Sequence, residues 1–186
     1  MTAKVNILGI AGSLRKDSLN RSLLRAAIEL APEGMAITTF DLLEVPLYNG
    51  DVEAAGDPQG VARFKEAIRA ADGVLMVTPE YNHGVPGVMK NAVDWASRPP
   101  RTAALTGKPV ALMGASPGIT GTARGQSQLR QAFEFTDSYC MTQPEVLVFS
   151  ALDKFDAEGK LTDERTRGNV AKFLVAFEAW VRRFAD

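Results

Sequence analysis

Apolar residues gather in five short blocks along the chain, at residues 5–10, 35–40, 73–78, 109–115 and 145–149. Within them the apolar positions mostly run together rather than alternating with polar ones, the pattern of strands covered on both faces. Between the blocks the spacing becomes helical. Leu24, Ala27, Ile28 and Ala31 follow the first block, and Val170, Phe173, Leu174, Phe177 and Val181 follow the last. Each set falls on one stripe of a helix. Five strand–helix alternations predict right-handed crossovers and a parallel sheet with helices on both faces. The expected fold is α/β, a three-layer, doubly wound, five-stranded parallel sheet in a single domain spanning 1–186. Two polar stretches interrupt the pattern. Residues 49–58 read as a long surface loop before a helix, and 152–163 as a solvated connector to the last helix.

Composition narrows the class without changing this picture. Lys and Arg number 21 against 22 Asp and Glu, leaving a net charge of −1, which argues against a nucleic-acid partner held by bulk charge. With 46% apolar and 23% charged residues, the chain has the make-up of an ordinary globular protein. No apolar run approaches the ~18 residues of a membrane span, and the segment beginning at Val5 is too short for a signal peptide, so no membrane association is expected. A single cysteine, Cys140, cannot form an internal disulfide. A cytoplasmic location is the expectation.

In a doubly wound sheet, ligands gather at the carboxyl ends of the strands where strand order reverses. After the first strand the chain places Ser13, Arg15, Ser18 and Asn20 just before a helix. Hydroxyls, a guanidinium and fresh backbone N–H groups at a helix start are the parts of an anion site. The plainer reading is that Ser18 or Asn20 only caps the helix. Neither a Gly-x-x-x-x-Gly-Lys-Ser/Thr loop nor a Gly-x-Gly-x-x-Gly turn follows this strand, which favours a terminal phosphomonoester over a triphosphate or a dinucleotide. After the third strand, Pro79 and Pro86 stiffen a loop in which Gly84 and Gly87 allow close approach of a flat ligand. Trp95, downstream of it, reads better as a packing residue. The segment Gly114-Ala115-Ser116-Pro117-Gly118 fits a hydrolase nucleophile elbow. Its order fails, because the only histidine, His83, precedes the serine. One His and one Cys also leave no soft-ligand metal cluster.

Segments 12–21 (Gly-Ser-Leu-Arg-Lys-Asp-Ser-Leu-Asn-Arg), 79–82 (Pro-Glu-Tyr-Asn), 86–95, 118–126 and 129–131 together resemble the NADPH-dependent FMN reductase family, in its branch of soluble quinone and chromate reductases. The resemblance implies a flavodoxin-like strand order 2-1-3-4-5 and FMN as cofactor. It assigns the FMN phosphate to Ser13, Arg15, Ser18 and Asn20, and the flavin ring to Pro79, Glu80, Tyr81, Asn82 and, by position, His83. Ser116 and Gly118 would stand beside the other ring edge. It further implies NADPH or NADH as hydride donor and ping-pong reduction of a small acceptor such as a quinone, chromate, an azo dye or free flavin. No side chain is expected to be catalytic, since the flavin carries the chemistry. A homodimer or homotetramer is implied, with Asp94, Trp95 and residues 124–135 as contact candidates. The rival readings are a flavodoxin-like electron carrier, which a net charge of −1 disfavours, and a flavin-binding regulatory protein.

Overall fold

The computed structural model describes residues 3–185. Its sheet contains β1 (Val5–Ala11), β2 (Met35–Phe40), β3 (Gly73–Val77), β4 (Pro109–Ala115), β5 (Tyr139–Cys140) and β6 (Val146–Val148). Strand order is β2-β1-β3-β4-β5, with β6 also paired to β4, and every pairing is parallel. This is the doubly wound, flavodoxin-like order.

Helices α1 (Leu19–Glu29), α2 (Gly50–Ala55), α3 (Gln59–Ala70), α4 (Gly87–Ala96), α5 (Ala123–Thr136) and α6 (Glu164–Arg182) complete the chain. One apolar cluster joins α1 and α6 to one face of the sheet through Leu23, Ala27, Phe173 and Phe177. The other joins α3, α4 and α5 to the opposite face through Phe64, Ile68, Met89, Val93 and Phe133. Fully burying a side chain such as Phe64 or Phe177 is worth about 1.5–3 kcal/mol, so each face is a large source of stability.

Four local expectations are revised. Ile28 leaves the predicted stripe of α1 and is 41% exposed, while Leu23 takes its place in the core. The stretch 49–58 is not all loop, because Asn49 accepts a hydrogen bond from Asp51 N–H and starts α2. The connector 152–163 is only partly solvated. Phe155 and Leu161 bridge each other and are buried against the α1/α6 core. The fifth strand position is filled by two short pieces, β5 and β6, instead of one strand at 145–149. Between them Pro144 has no N–H to give to a ladder.

Helix α6 shows how an end is secured. Asp163 accepts from the N–H and the hydroxyl of Thr166, and these bonds hold its carboxyl below the usual carboxylate range. A lowered carboxyl pKa stabilises the fold above the ordinary value of about 3.9, and that contribution disappears as pH falls through the lower folded value. Asp163→Ala should therefore melt below the parent protein at pH 7, and the gap should narrow as pH drops towards 3. Thermal melts across that range check it.

Candidate functional site

The parallel register sets the carboxyl ends of β1, β3 and β4 level, with Ala11 beside Val77 and Val77 beside Met113. Each chain then leaves the sheet tied to its neighbour. Gly12 N–H donates to Val77 O, Thr78 N–H to Met113 O, and Ser116 N–H to Val148 O, all at 2.9 Å. The backbone at Gly12 passes close to its neighbours, since a Cβ there would lie 3.0 Å from Met89 and 3.3 Å from Pro79. Between these ends opens a cavity of about 150 Å³ lined by Ser13, Arg15, Ser18, Leu19, Asn20, Pro79, Glu80, Tyr81, Ala115, Ser116 and Pro117.

The loop after β1 and the start of α1 form one side. Ser18 caps α1, its Oγ accepting from Asn20 N–H at 3.2 Å, and Ser13 Oγ accepts from Arg15 N–H at 3.3 Å. Both hydroxyls are buried, and each keeps its own O–H to donate. The Arg15 side chain is folded back, its guanidinium donating to Asp17 O at 2.8 Å. Asn20 has a different partner from the one its sequence position suggests. Its Oδ1 accepts from Ala115 N–H and its Nδ2 donates to Ala115 O, both at 2.9 Å, so its amide pins α1 to the end of β4.

The loop after β3 forms the second side. Glu80 is nearly buried, with a side chain only 7% exposed. Its Oε2 accepts from Arg124 N–H and Gly125 N–H at the start of α5, and Arg124 pairs with Oε1. The carboxylate therefore neutralises a helix N-terminus. Tyr81 and Gly84 exchange backbone hydrogen bonds around Asn82 and His83, both with positive φ (51° and 61°). That is the geometry of a tight mirror-image turn, which asparagine and histidine tolerate better than most residues. A Cβ at Gly84 would lie 2.6 Å from Gln128 Oε1, which itself accepts from Val85 N–H, so a side chain there would displace that amide.

The loop after β4 closes the third side. Ser116 Oγ accepts from Gly118 N–H at 3.1 Å, an ordinary turn bond. Of the residues expected at the site, the structure brings Ser13, Arg15, Ser18, Asn20, Pro79, Glu80, Tyr81 and Ser116 to one cavity. Asn82, His83 and Gly118 fall just outside its walls. Trp95 is fully buried and donates to Pro46 O, which removes it as a subunit-contact candidate. Among the described residues, no cluster of three or more His, Cys, Asp or Glu is arranged to hold a metal ion. No helix there is long and apolar enough to cross a membrane.

Sequence reading missed the residues that hold these loops from behind. Thr122 is fully buried and accepts from Gln126 Nε2, and Gly114 lies so close to Thr122 and to Thr78 O that no side chain fits. Arg21 links the β1 loop to Asp41. These contacts join segments up to tens of residues apart and leave no local pattern.

Known proteins match the chain along most of its length. The model of a family described as NADPH-dependent FMN reductase matches residues 5–153. An NAD(P)H-dependent FMN reductase of Pseudomonas aeruginosa is 50% identical over 183 residues, covering 98% of both chains. A quinone reductase of Escherichia coli K12 is 39% identical over 186 residues, also covering 98% of both. Among solved structures, the flavoenzyme NAD(P)H:(acceptor) oxidoreductase FerB of Paracoccus denitrificans superposes with a TM-score of 0.88 at 36% identity, covering 97% of this chain and 98% of that one. The chain whose loops around Ser13, Glu80 and Ser116 line this cavity thus belongs to the NADPH-dependent FMN reductase family.

Proposed function

We propose that this protein is an FMN-dependent NAD(P)H oxidoreductase that reduces quinones or similar small acceptors. The observation that carries the reading is the set of donors at the start of α1. Two buried hydroxyls and one guanidinium border a cavity that continues to the Pro79–Tyr81 and Ser116–Pro117 rims. Those donors suit a phosphomonoester, and the rims suit a flat ring. Relatives of the chain include a 2-hydroxy-1,4-benzoquinone reductase of Burkholderia as well as quinone reductases. Bound FMN would supply hydride chemistry between NAD(P)H and the acceptor.

The protein's part is to bind and orient. Ser13 and Ser18 would donate to the phosphate, and Arg15 would swing from Asp17 O to pair with it. Asn20 acts by fixing the cavity floor at Ala115. Pro79, Glu80 and Tyr81 would border the ring, with the N–H groups of Asn82 and His83 outside the Tyr81–Gly84 pair and available to its edge. Ser116 and Gly118 would stand at the other edge. Dipoles aimed at developing negative charge favour reduction. The single-domain reading rests on one sheet with a core on each face. A cytoplasmic setting, consistent with the lone free thiol of Cys140, and assembly into a homodimer or homotetramer complete the reading. Ile119 and Phe135, exposed at 87% and 75% near and on α5, replace Trp95 as contact candidates.

Anaerobic titration of the purified protein with NADPH, followed by quinone, tests the reading. A flavin spectrum should bleach with about one equivalent of donor and return on adding quinone. Since one cavity must serve donor and acceptor in turn, steady-state data at several fixed NADPH concentrations should give parallel double-reciprocal lines. Intersecting lines would require both substrates bound at once. Slow bleaching without turnover would indicate a carrier or regulatory protein instead.

Arg15→Ala should weaken FMN binding about tenfold, below the full value of a charge-assisted contact because the side chain is exposed. Fluorescence titration of the apoprotein measures it.

A further inference from the structure

We infer that Arg21 and Asp41 act as a brace that sets the conformation of the phosphate-binding loop, making Arg21 a positioning residue for the cofactor. The inference rests on the function proposed above and deepens it. Arg21 lies in the first turn of α1 but, with Asp41, lines a different cavity. Its Nε donates to Ser13 O at 3.1 Å, and its Nη2 reaches both carboxylate oxygens of Asp41, at 3.0 and 2.9 Å. Asp41 is held in turn, its Oδ1 accepting from Leu43 N–H at 3.0 Å just beyond β2. A chain of bonds therefore runs from the end of β2, through the guanidinium, to the carbonyl of the residue whose hydroxyl lines the cavity.

Only arginine has the geometry for this. Its planar fork sends Nε–H to the carbonyl and Nη2–H to the carboxylate from two separate nitrogens, whereas the three donors of a lysine ammonium share one nitrogen that would have to reach both acceptors at once. Arg21 does not line the phosphate cavity, so its own charge is not the contact. What it fixes is the carbonyl of Ser13, and with it the peptide plane and the aim of the Ser13 hydroxyl. Preorganised donors bind an anion more tightly than donors that must be ordered on binding.

The test turns on a difference of sign. Asp41 is an anion joined to the phosphate loop through Arg21, so by charge alone Asp41→Asn should tighten phosphate binding. As part of a brace, it should do the reverse. The measurement is equilibrium titration of apoprotein with FMN and with riboflavin, which lacks the phosphate, for the parent protein, Asp41→Asn and Arg21→Lys. The expected result is that both variants bind FMN about three- to tenfold more weakly, a size suited to a half-exposed ion pair, while riboflavin affinity stays within twofold. FMN binding by Asp41→Asn that is unchanged or tighter would overturn the brace. So would equal weakening for FMN and riboflavin, which would mark general loosening of the fold. If the parent protein fails to prefer FMN over riboflavin, the phosphate-site reading itself falls, and that result is distinguishable because it needs no variant.

Discussion

Replacing Asn20 by alanine is expected to cost about 2–5 kcal/mol of folding stability, although the residue sits in a loop-to-helix junction beside an open cavity. The size follows from what is left behind. Asn20 is 3% exposed and answers both the N–H and the C=O of Ala115. Its loss strands one buried donor and one buried acceptor, each worth roughly 1–3 kcal/mol when unpaired. Asn20→Asp separates the two bonds. At pH 7 the carboxylate can still accept from Ala115 N–H but faces Ala115 O with no proton to give. At lower pH the protonated acid can donate, so this variant should recover part of its deficit as the solution is acidified, relative to Asn20→Ala. Urea unfolding of the three proteins at pH 7 and near pH 4.5 measures both effects. An alanine variant within about 0.5 kcal/mol of the parent would refute the clamp.

Gly114→Ala should be nearly as damaging, by about 2–4 kcal/mol, for a steric reason. The new methyl group would run into Thr122 Oγ1 and Thr78 O. The threonine hydroxyl is fully buried and engaged by Gln126, while the carbonyl belongs to the backbone that leads into Pro79. Relief therefore requires β4 to move away from the end of β3, which would also open the cavity between them. The melting temperature should fall by roughly 5–15 °C for a chain of this size, and FMN binding should weaken with it. Gly87→Ala is the matched control. A Cβ at Gly87 meets nothing within 4 Å, and the residue begins α4. Its melting temperature should stay equal or rise slightly, because alanine is the better helix former. Equal melting of parent and Gly114→Ala would show that the β3–β4 junction is looser than its contacts imply.

Much of this architecture is written locally. The blocks that become β2 and β4 coincide with their sequence limits, and the five apolar residues read on the last helix are all buried in α6. Burial on both faces demands continuous apolar runs, and burial on one side demands a helical stripe, so the chain itself carries both signals. The short pieces are less legible. Helix α2 buries none of its residues and rests on a cap, and β5 and β6 are too brief to show a period. The segments of the cavity were legible for a similar reason. Hydroxyls, guanidinium and prolines are grouped within single loops, and the alternation of strands and helices sends those loops to one end of the sheet.

What the sequence could not determine is which of those side chains are tied up in holding the frame. Ser13, Asn20 and Glu80 look alike as polar residues shortly after the end of a strand. All three reach the cavity wall, but tertiary structure alone ties the Asn20 amide to the backbone of Ala115, 95 residues away, and the Glu80 carboxylate to the first turn of α5. The same holds for Arg21, whose partners are Ser13 O and Asp41. A buried polar group must find a partner wherever the fold brings one within about 3 Å. That distance is set by the packing of strands and helices remote in sequence, so residue type and spacing determined the candidates while the assembled sheet decided their roles.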